Sequence, residues 1–555
     1  MTRAGCQQTM PRGKAPGRLD FARPAFFWTG TALCVAGVLG HLPMYARLTG
    51  PPGQHHGMGG MGWDLPMVLG MVLILVGLAA CTRGLVGPRR VPEADEPADL
   101  RVVFDEDTPL SRAHWLLTSV MTIAVAIDVM KPLTLSFVAP GMAREYGLSS
   151  PLDPHGGPPV ALLPLFGIGG TVVGSFLWGR FGDRLGRRPA ILLASVVFIA
   201  TSVCGAMPRF SLNLAMCFVM GMSAGGMLPL TFTLLTETVP ARRRGWLVVL
   251  TGSGIAGGYA LTSWMSTLLM PHFGWRVMWL LGLPTGVLLL LLNRWVPESP
   301  RFLAAQGREF EARAVLARYG ARLLPAPRAS TAPPRPQAAG YLRLLGPAHI
   351  RVSLPLVLLA LGIGLVTYGF QLWIPSDLRR LGFTDVTADT ILRDSALLGL
   401  PFNLAVAWLY GHWSSKGTLV LLGAVTTVAM TGLAVAGDGV ATRPALLHVL
   451  LAAPICAASS AIAVIAAYTA EVYPTAVRSH ASGLTAAVTK IGGLLMISAV
   501  AAALTPPSVR ATALLGALPL ALATVAILLA GVETRARSLE ELSLQALEQG
   551  ASTSG

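Results

Sequence analysis

Apolar residues run in long blocks along this chain, and charge is confined to the short stretches between them. Two blocks, near 25–47 and 64–87, open the chain. Twelve more fall near 114–138, 159–178, 189–207, 212–236, 246–270, 275–295, 351–373, 393–411, 418–437, 444–470, 480–503 and 510–531. A helix needs about 20 mostly apolar residues to cross a bilayer. The pattern predicts an all-α integral membrane protein with about 14 transmembrane helices. The first block lacks a convincing small-residue cleavage site, so it reads as an anchor and not as a removed signal peptide.

Composition agrees: 53% of residues are apolar and 12% charged, with a formal net charge of +15. So basic a chain could suit nucleic acid, but its arginines sit in short loops between apolar blocks. That is a topology signal, and nucleic acid is not a predicted partner. Arg3, Arg12, Lys14, Arg18 and Arg23 place the N-terminus in the cytoplasm. Counting crossings from there puts 179–188, 237–245, 296–350, 412–417, 471–479 and 532–555 on the same side, where most of the arginine lies. The predicted organisation has seven parts. A basic N-terminus (1–24) precedes a two-helix hairpin (25–87) and a charged linker (88–112). A six-helix bundle (113–295) and a cytoplasmic loop (296–350) follow; the Pro-, Ala- and Arg-rich stretch 320–340 reads as a flexible joint. A second six-helix bundle (351–531) and a cytoplasmic tail (532–555) complete the chain. The expected setting is the cell (inner) membrane, as a monomer with both termini cytoplasmic.

The six cysteines are scattered without a CxxC, so neither a disulfide frame nor a zinc site is implied. No GxxxxGK[ST] loop appears, so the predicted energy source is an ion gradient, and neither enzymatic activity nor a cofactor is expected.

An internal repeat is visible. Glu237, Pro240 and Arg244 in "TETVPARRRG" have the spacing of Glu471, Pro474 and Arg478 in "AEVYPTAVRSHASG", 234 residues later. The same shift carries the charged loop "WGRFGDRLGRRP" to the neighbourhood of "YGHWSSKG". A duplicated unit of six spans enters the membrane twice from the same side, as a parallel repeat.

Gly179-x-x-x-Asp183-Arg184-x-Gly186-Arg187-Arg188 resembles the signature loop between helices two and three of the major facilitator superfamily. "VPESPRFL", 296–303, and "GWR", 274–276, resemble segments of its sugar-porter and organic-ion branches, and the likeness spans about 110–535. The resemblance implies the twelve-helix fold of two parallel six-helix repeats, here with the extra hairpin in front, and transport by alternating access. It also implies a cytoplasmic gate. Gly179 lets its helix approach the other half. Asp183 accepts from the helix N-terminus near Ser479–Ser482, where the dipole favours negative charge. Arg184 or Arg187 pairs with Glu237, which Arg244 also reaches, and Glu471 with Arg478 repeats the arrangement beside Lys416. Ser415 and Lys416 stand where the pattern has Asp and Arg, so a strong latch is expected in the first half only. A plain positive-inside anchor would explain the arginines but neither Asp183 nor the glutamates.

Charges inside the membrane are functional candidates by default. Asp128 and Lys131 lie mid-span, three residues apart and so on one helix face. Pro132 cannot donate to the carbonyl of residue 128. Asp128 is the candidate for proton coupling, with Lys131 as its neighbour; mutual neutralisation of the two is the plainer reading. Lys490 is mid-span without an obvious local partner, and the excess positive charge suggests an anionic solute. Tyr368 and Gln371 share a face of one helix and, with Asn403, are candidate solute contacts. In the hairpin loop "GQHHGMGGMGWD", His55, His56, Met58 and Met61 form a soft ligand set suited to copper(I), or a plain Gly-rich loop. Three functions follow. The first is proton-coupled symport of a small organic solute, the second drug or metabolite efflux by proton antiport, and the third copper uptake or sensing. "GSGIAGGYA" lacks the proline of the efflux signature.

Overall fold

The structure is a computed structural model that describes residues 23–48, 64–85, 100–104, 109–149, 155–325, 344, 346, 349–473, 475–502 and 508–534. His55, His56, Met58 and Met61 lie outside the described residues, as do the side chains of Asp183 and Arg478.

The apolar blocks become helices. A hairpin of α1 (Pro24–Tyr45) and α2 (Leu65–Leu85) precedes the first bundle. That bundle is α3 (Arg112–Tyr146), α4 (Leu162–Leu185), α5 (Arg187–Ala206), α6 (Phe210–Thr238), α7 (Ala241–Phe273) and α8 (Val277–Trp295). The second is α9 (Ile350–Ile374), α10 (385–412, broken at Leu398), α11 (Ser415–Thr442), α12 (Pro444–Val472), α13 (Thr475–Ala502) and α14 (Val509–Ala530). Among the described residues, 12 helices are long and apolar enough to cross a membrane. The two expected spans outside that number are α7 and α10. They contain Arg243, Arg244, Thr251 and Ser263 in α7, and Arg393, Asp394 and Asn403 in α10. These two helices meet the other bundle: α7 packs on α3 within its own half and on α10 and α12 of the other. A helix sheltered by protein tolerates polar residues that a lipid-facing helix cannot. A second seam joins α4 to α13.

Small residues set the hairpin. A Cβ on Gly30 would collide with the Gly77 backbone, and one on Gly37 with that of Gly70, so α1 and α2 touch backbone to backbone. Both pack against α5, and the Tyr45 hydroxyl donates to the Ser202 carbonyl at 3.0 Å. The loops carry more structure than expected, including helices at Pro300–Ala305 and Glu309–Arg318. Strand β1 (Leu100–Phe104), in the predicted linker, pairs antiparallel with β2 (Ala321–Pro325), at the start of the predicted joint. Two short apolar-rich segments thus satisfy each other's backbone groups where a wholly unpaired chain was expected.

Candidate functional site

A cavity lies between the bundles. Its wall includes Asp128, Pro132 and Leu133 of α3, Thr171 of α4, Ala224 and Leu228 of α6, Ile255 and Tyr259 of α7, Thr367, Tyr368, Gln371 and Leu372 of α9, Ser459 of α12 and Lys490 of α13. Asp128 is 2% exposed, and its Oδ1 has no hydrogen-bond partner among the described residues. The charges of Asp128 and Lys490 act on each other.

Lys131 goes elsewhere. Its ammonium lies 4.7 Å from the centre of the Phe198 ring and fills the notch left by Gly282, where a Cβ would collide with it. No ion pair joins it to Asp128 among the described residues. Three residues of spacing put both side chains on one face, but a long lysine stem follows the nearest gap. Lys490, expected to lack a partner, has several. It donates to the Gly225 carbonyl at 2.8 Å, to the Thr171 carbonyl at 3.5 Å and to the Ser175 hydroxyl. All three belong to the first bundle, which a search along α13 alone could not reveal. Tyr368 and Gln371 both face the cavity, and Gln371 also donates to the Pro454 carbonyl at 3.0 Å. Asn403 does not line it. Its amide donates to Gly399 at 2.7 Å and accepts from Ser460 at 2.9 Å, tying α10 to α12. Tyr259, Thr171 and Ser459 were not read as site residues, because they sit among glycines and alanines that look like packing surface.

The charged loop at the end of α4 is built around one buried corner. Gly186 has φ +101°, and a Cβ there would strike the Glu298 carboxylate and Phe302, so glycine is required twice over. Glu298 accepts from the Arg187 N–H at 2.8 Å and the Ser299 N–H at 2.9 Å, placing a carboxylate at the N-terminus of α5. Burial pushes its carboxyl above the ordinary range, opposed by the backbone N–H groups it accepts from. Arg187 pairs with Glu237 at 3.3 Å and donates to the Gly182 carbonyl at 3.0 Å. Arg188 is buried and donates to Asn293 at 3.0 Å, pinning α5 to the end of α8. Arg184 is exposed. Gly179, expected at a close contact, faces open space; the tight glycine is Gly182, against Leu230.

In the second half Glu471 accepts from the Tyr410 and Thr534 hydroxyls, each at 2.7 Å. Both hydroxyls meet its Oε2, and no ion pair joins it to Lys416 among the described residues. Arg244 acts on Glu471 across the bundle seam, and Gly245 leaves the room for this approach. Glu533 accepts from the Ser415 N–H at 2.9 Å and from the Ser414 and Ser415 hydroxyls. Glu298 and Glu533, 235 residues apart, thus do one job in the two halves, at nearly the shift that relates Glu237 to Glu471. The repeat itself was the signal that could have found them.

Two parallel six-helix bundles around a central cavity that holds a buried carboxylate and a buried ammonium, with charged loops beneath one end, define a membrane transporter and not an enzyme. The chain belongs to the Major Facilitator Superfamily, whose description matches residues 115–496. It is 27% identical to the niacin transporter NiaP of Acinetobacter baylyi, over 70% of this chain and 87% of that one. It is 28% identical to a gallate transporter of Pseudomonas putida, over 70% and 85%. The 4-hydroxybenzoate transporter PcaK of A. baylyi is 32% identical over 36% of this chain and 43% of its own. The proton:xylose symporter XylE shares the fold with TM-score 0.62 at 19% identity, covering 79% of this chain and 100% of that one.

Proposed function

We propose that the protein is a proton-coupled symporter that carries a small organic anion, a monocarboxylate on an aromatic ring, across the cell membrane by alternating access. Relatives that carry niacin, gallate and 4-hydroxybenzoate support the solute class. So does a cavity with one ammonium, two tyrosines and an amide set among Leu, Ile and Pro side chains.

The observation that carries the coupling is that Asp128 and Lys490 line the same cavity. In the empty carrier the carboxylate and the ammonium cancel. An anion bound alone leaves a net negative charge at mid-membrane, which costs several kcal/mol. A proton on Asp128 restores neutrality. Empty and fully loaded carriers are then both neutral at the site and free to reorient, while the half-loaded carrier is held back. Lys131, outside the cavity, is constant through the cycle and does not alter this difference. Beneath the site, Arg244 reaches Glu471 across the seam and closes the cytoplasmic side in one half of the cycle, while Arg187 with Glu237 braces the first bundle within itself.

The test is uptake into proteoliposomes of nicotinate, gallate and 4-hydroxybenzoate under an inward proton gradient. Wild type accumulates at least one of them, with no response to an imposed membrane potential because one anion moves with one proton. Asp128→Asn keeps exchange but loses accumulation by about tenfold or more. Full accumulation by that variant refutes the coupling role, and failure of all three acids in wild type refutes the solute class.

A further inference from the structure

We propose that Lys490 is the pin of a latch between the two bundles, that Thr171, Ser175 and Gly225 are its socket, and that an anionic solute opens it by drawing the ammonium into the cavity. The release step rests on the reading of the cavity as an anion site; the latch itself does not.

The socket follows from one proline. Helix α6 is interrupted at Gly225–Gly226, and its ladder resumes with the Leu230 N–H donating to Gly226 at 3.1 Å. The donor that would serve the Gly225 carbonyl belongs to residue 229, which is Pro229 and has no N–H. A buried carbonyl without its helical donor takes another. Here it takes the Lys490 ammonium at 2.8 Å, and the Ser175 hydroxyl lies 2.8 Å from it and 2.8 Å from the Thr171 carbonyl, with one proton shared between the two. Gly225 also lies so close to α4 that a Cβ would strike the Thr171 carbonyl, which brings the second acceptor beside the first.

Lys490 therefore crosses from α13 to α4 and α6, and its acceptors among the described residues are all in the opposite bundle. Those acceptors are neutral. They satisfy a buried ammonium, but a carboxylate is a stronger acceptor for the same donors. Because Lys490 and Thr171 both line the cavity, a bound anion meets the pin directly. Ser175 lies one helical turn from Thr171 toward Gly179, so the tie closes the cavity on the side of the charged loop. The Asp128 carboxylate lines the same cavity but makes no ion pair with Lys490 among the described residues, so the bonds hold the bundles together until a carboxylate comes within bonding reach of the ammonium.

Pulsed dipolar distances between spin labels at the exposed positions Arg180 and His412, one in each bundle, read the latch in lipid nanodiscs without solute. Pro229→Ala restores an N–H for Gly225, Ser175→Ala removes the relaying hydroxyl, and Lys490→Gln removes the charge. Loss of a charged hydrogen bond raises the separated-to-closed ratio about ten- to a hundredfold for K490Q, and weakening it raises the ratio about three- to tenfold for P229A. For S175A, which keeps the ammonium and Gly225 carbonyl, about twofold is expected. Distances like those of wild type in all three variants overturn the latch; P229A and S175A leave the lysine in place, so a folding defect in K490Q does not decide the matter. In the second arm, 4-hydroxybenzoate is added to wild type. Separation matching that of K490Q supports release. Binding by thermal shift with unchanged distances overturns it. Absence of binding of this acid, of nicotinate and of gallate overturns the aromatic-carboxylate reading instead, while the solute-free distances still decide the latch.

Discussion

In the first bundle α5 begins at Arg187 and its leading N–H is met by Glu298 from beyond α8; in the second, α11 begins at Ser415 and its N–H is met by Glu533 from beyond α14. The carboxylate on the leading N–H is shared, although the cap before it is Gly186 at φ +101° in one half and Ser414 at φ −163° in the other, and the side chains around it differ. Around Glu298 stand Arg187, paired with Glu237, and Arg188, bonded to Asn293. Around Glu533 stand the hydroxyls of Ser414 and Ser415, with Thr534 and Tyr410 linking on to Glu471. A carboxylate at a helix N-terminus satisfies orphan donors whichever residues surround it, so duplication keeps that part. The surrounding layer is free to differ. Ion pairs weaken when water and salt reach them, whereas neutral hydroxyl bonds are less sensitive to salt. The layer around Glu298 is thus the one more sensitive to water and salt and the hydroxyl layer around Glu533 the steadier, while the charged contact across the seam is that of Arg244 with Glu471.

The largest effect comes from removing the shared part. Glu298→Ala and Glu533→Ala each strand several buried donors and should lower stability by about 2–3 kcal/mol, read as the unfolding midpoint of the purified protein. If the halves are equivalent at this level, the two losses agree within about 1 kcal/mol. A large loss for one and none for the other breaks the comparison.

The side-chain layer gives the next effect. Glu237→Gln with Arg187→Gln forms a double-mutant cycle on a partly buried ion pair, with an expected coupling of about 1 kcal/mol that shrinks as salt is raised. Glu471→Gln with Tyr410→Phe is the matching cycle in the second half, and its coupling should hold across the same salt range. Equal salt dependence in both cycles would erase the distinction between a salt-sensitive layer and a steady one.

How far the sequence carried depends on whether a feature is local. The blocks of apolar residues locate α3 to α14 because each helix meets lipid or protein along its own length. Glu237 and Glu471 were legible through their shared spacing to proline and arginine. Glu298 and Glu533 were not, because a cap is defined by the helix end it reaches, and those ends lie over 100 residues earlier in the chain. Lys490 was legible as a buried charge but not as a tie, since its acceptors are backbone carbonyls, and carbonyls carry no sequence signal of their own. Pro229 is the exception in hindsight: a proline four residues after a glycine marks a carbonyl without its donor. Gly179 and Asn403 show the opposite limit, where a residue type suited to a role faces open space or packs between helices instead.

The smallest effect separates the two caps by pH. Burial raises the Glu298 carboxyl above its ordinary 4.5, while the N–H groups of Ser299, Arg187 and Arg188 hold part of that rise back. A raised value means that the folded protein keeps its proton at a pH where the unfolded chain has released it. Stability from this group is therefore greatest in acid, falls as pH climbs from about 4.5 toward the folded value, and stays at its lower level above. Glu298→Gln has no proton to lose. Its midpoint should gain on that of wild type across this window and run parallel above it. A difference that is flat with pH, or that turns against Gln as pH rises, means that the backbone donors outweigh burial and that the ionised carboxylate is the favoured form in place. Running Glu533→Gln alongside shows whether hydroxyl donors tune a cap differently from an arginine layer, since each carboxylate meets a leading N–H and the two differ in what surrounds it.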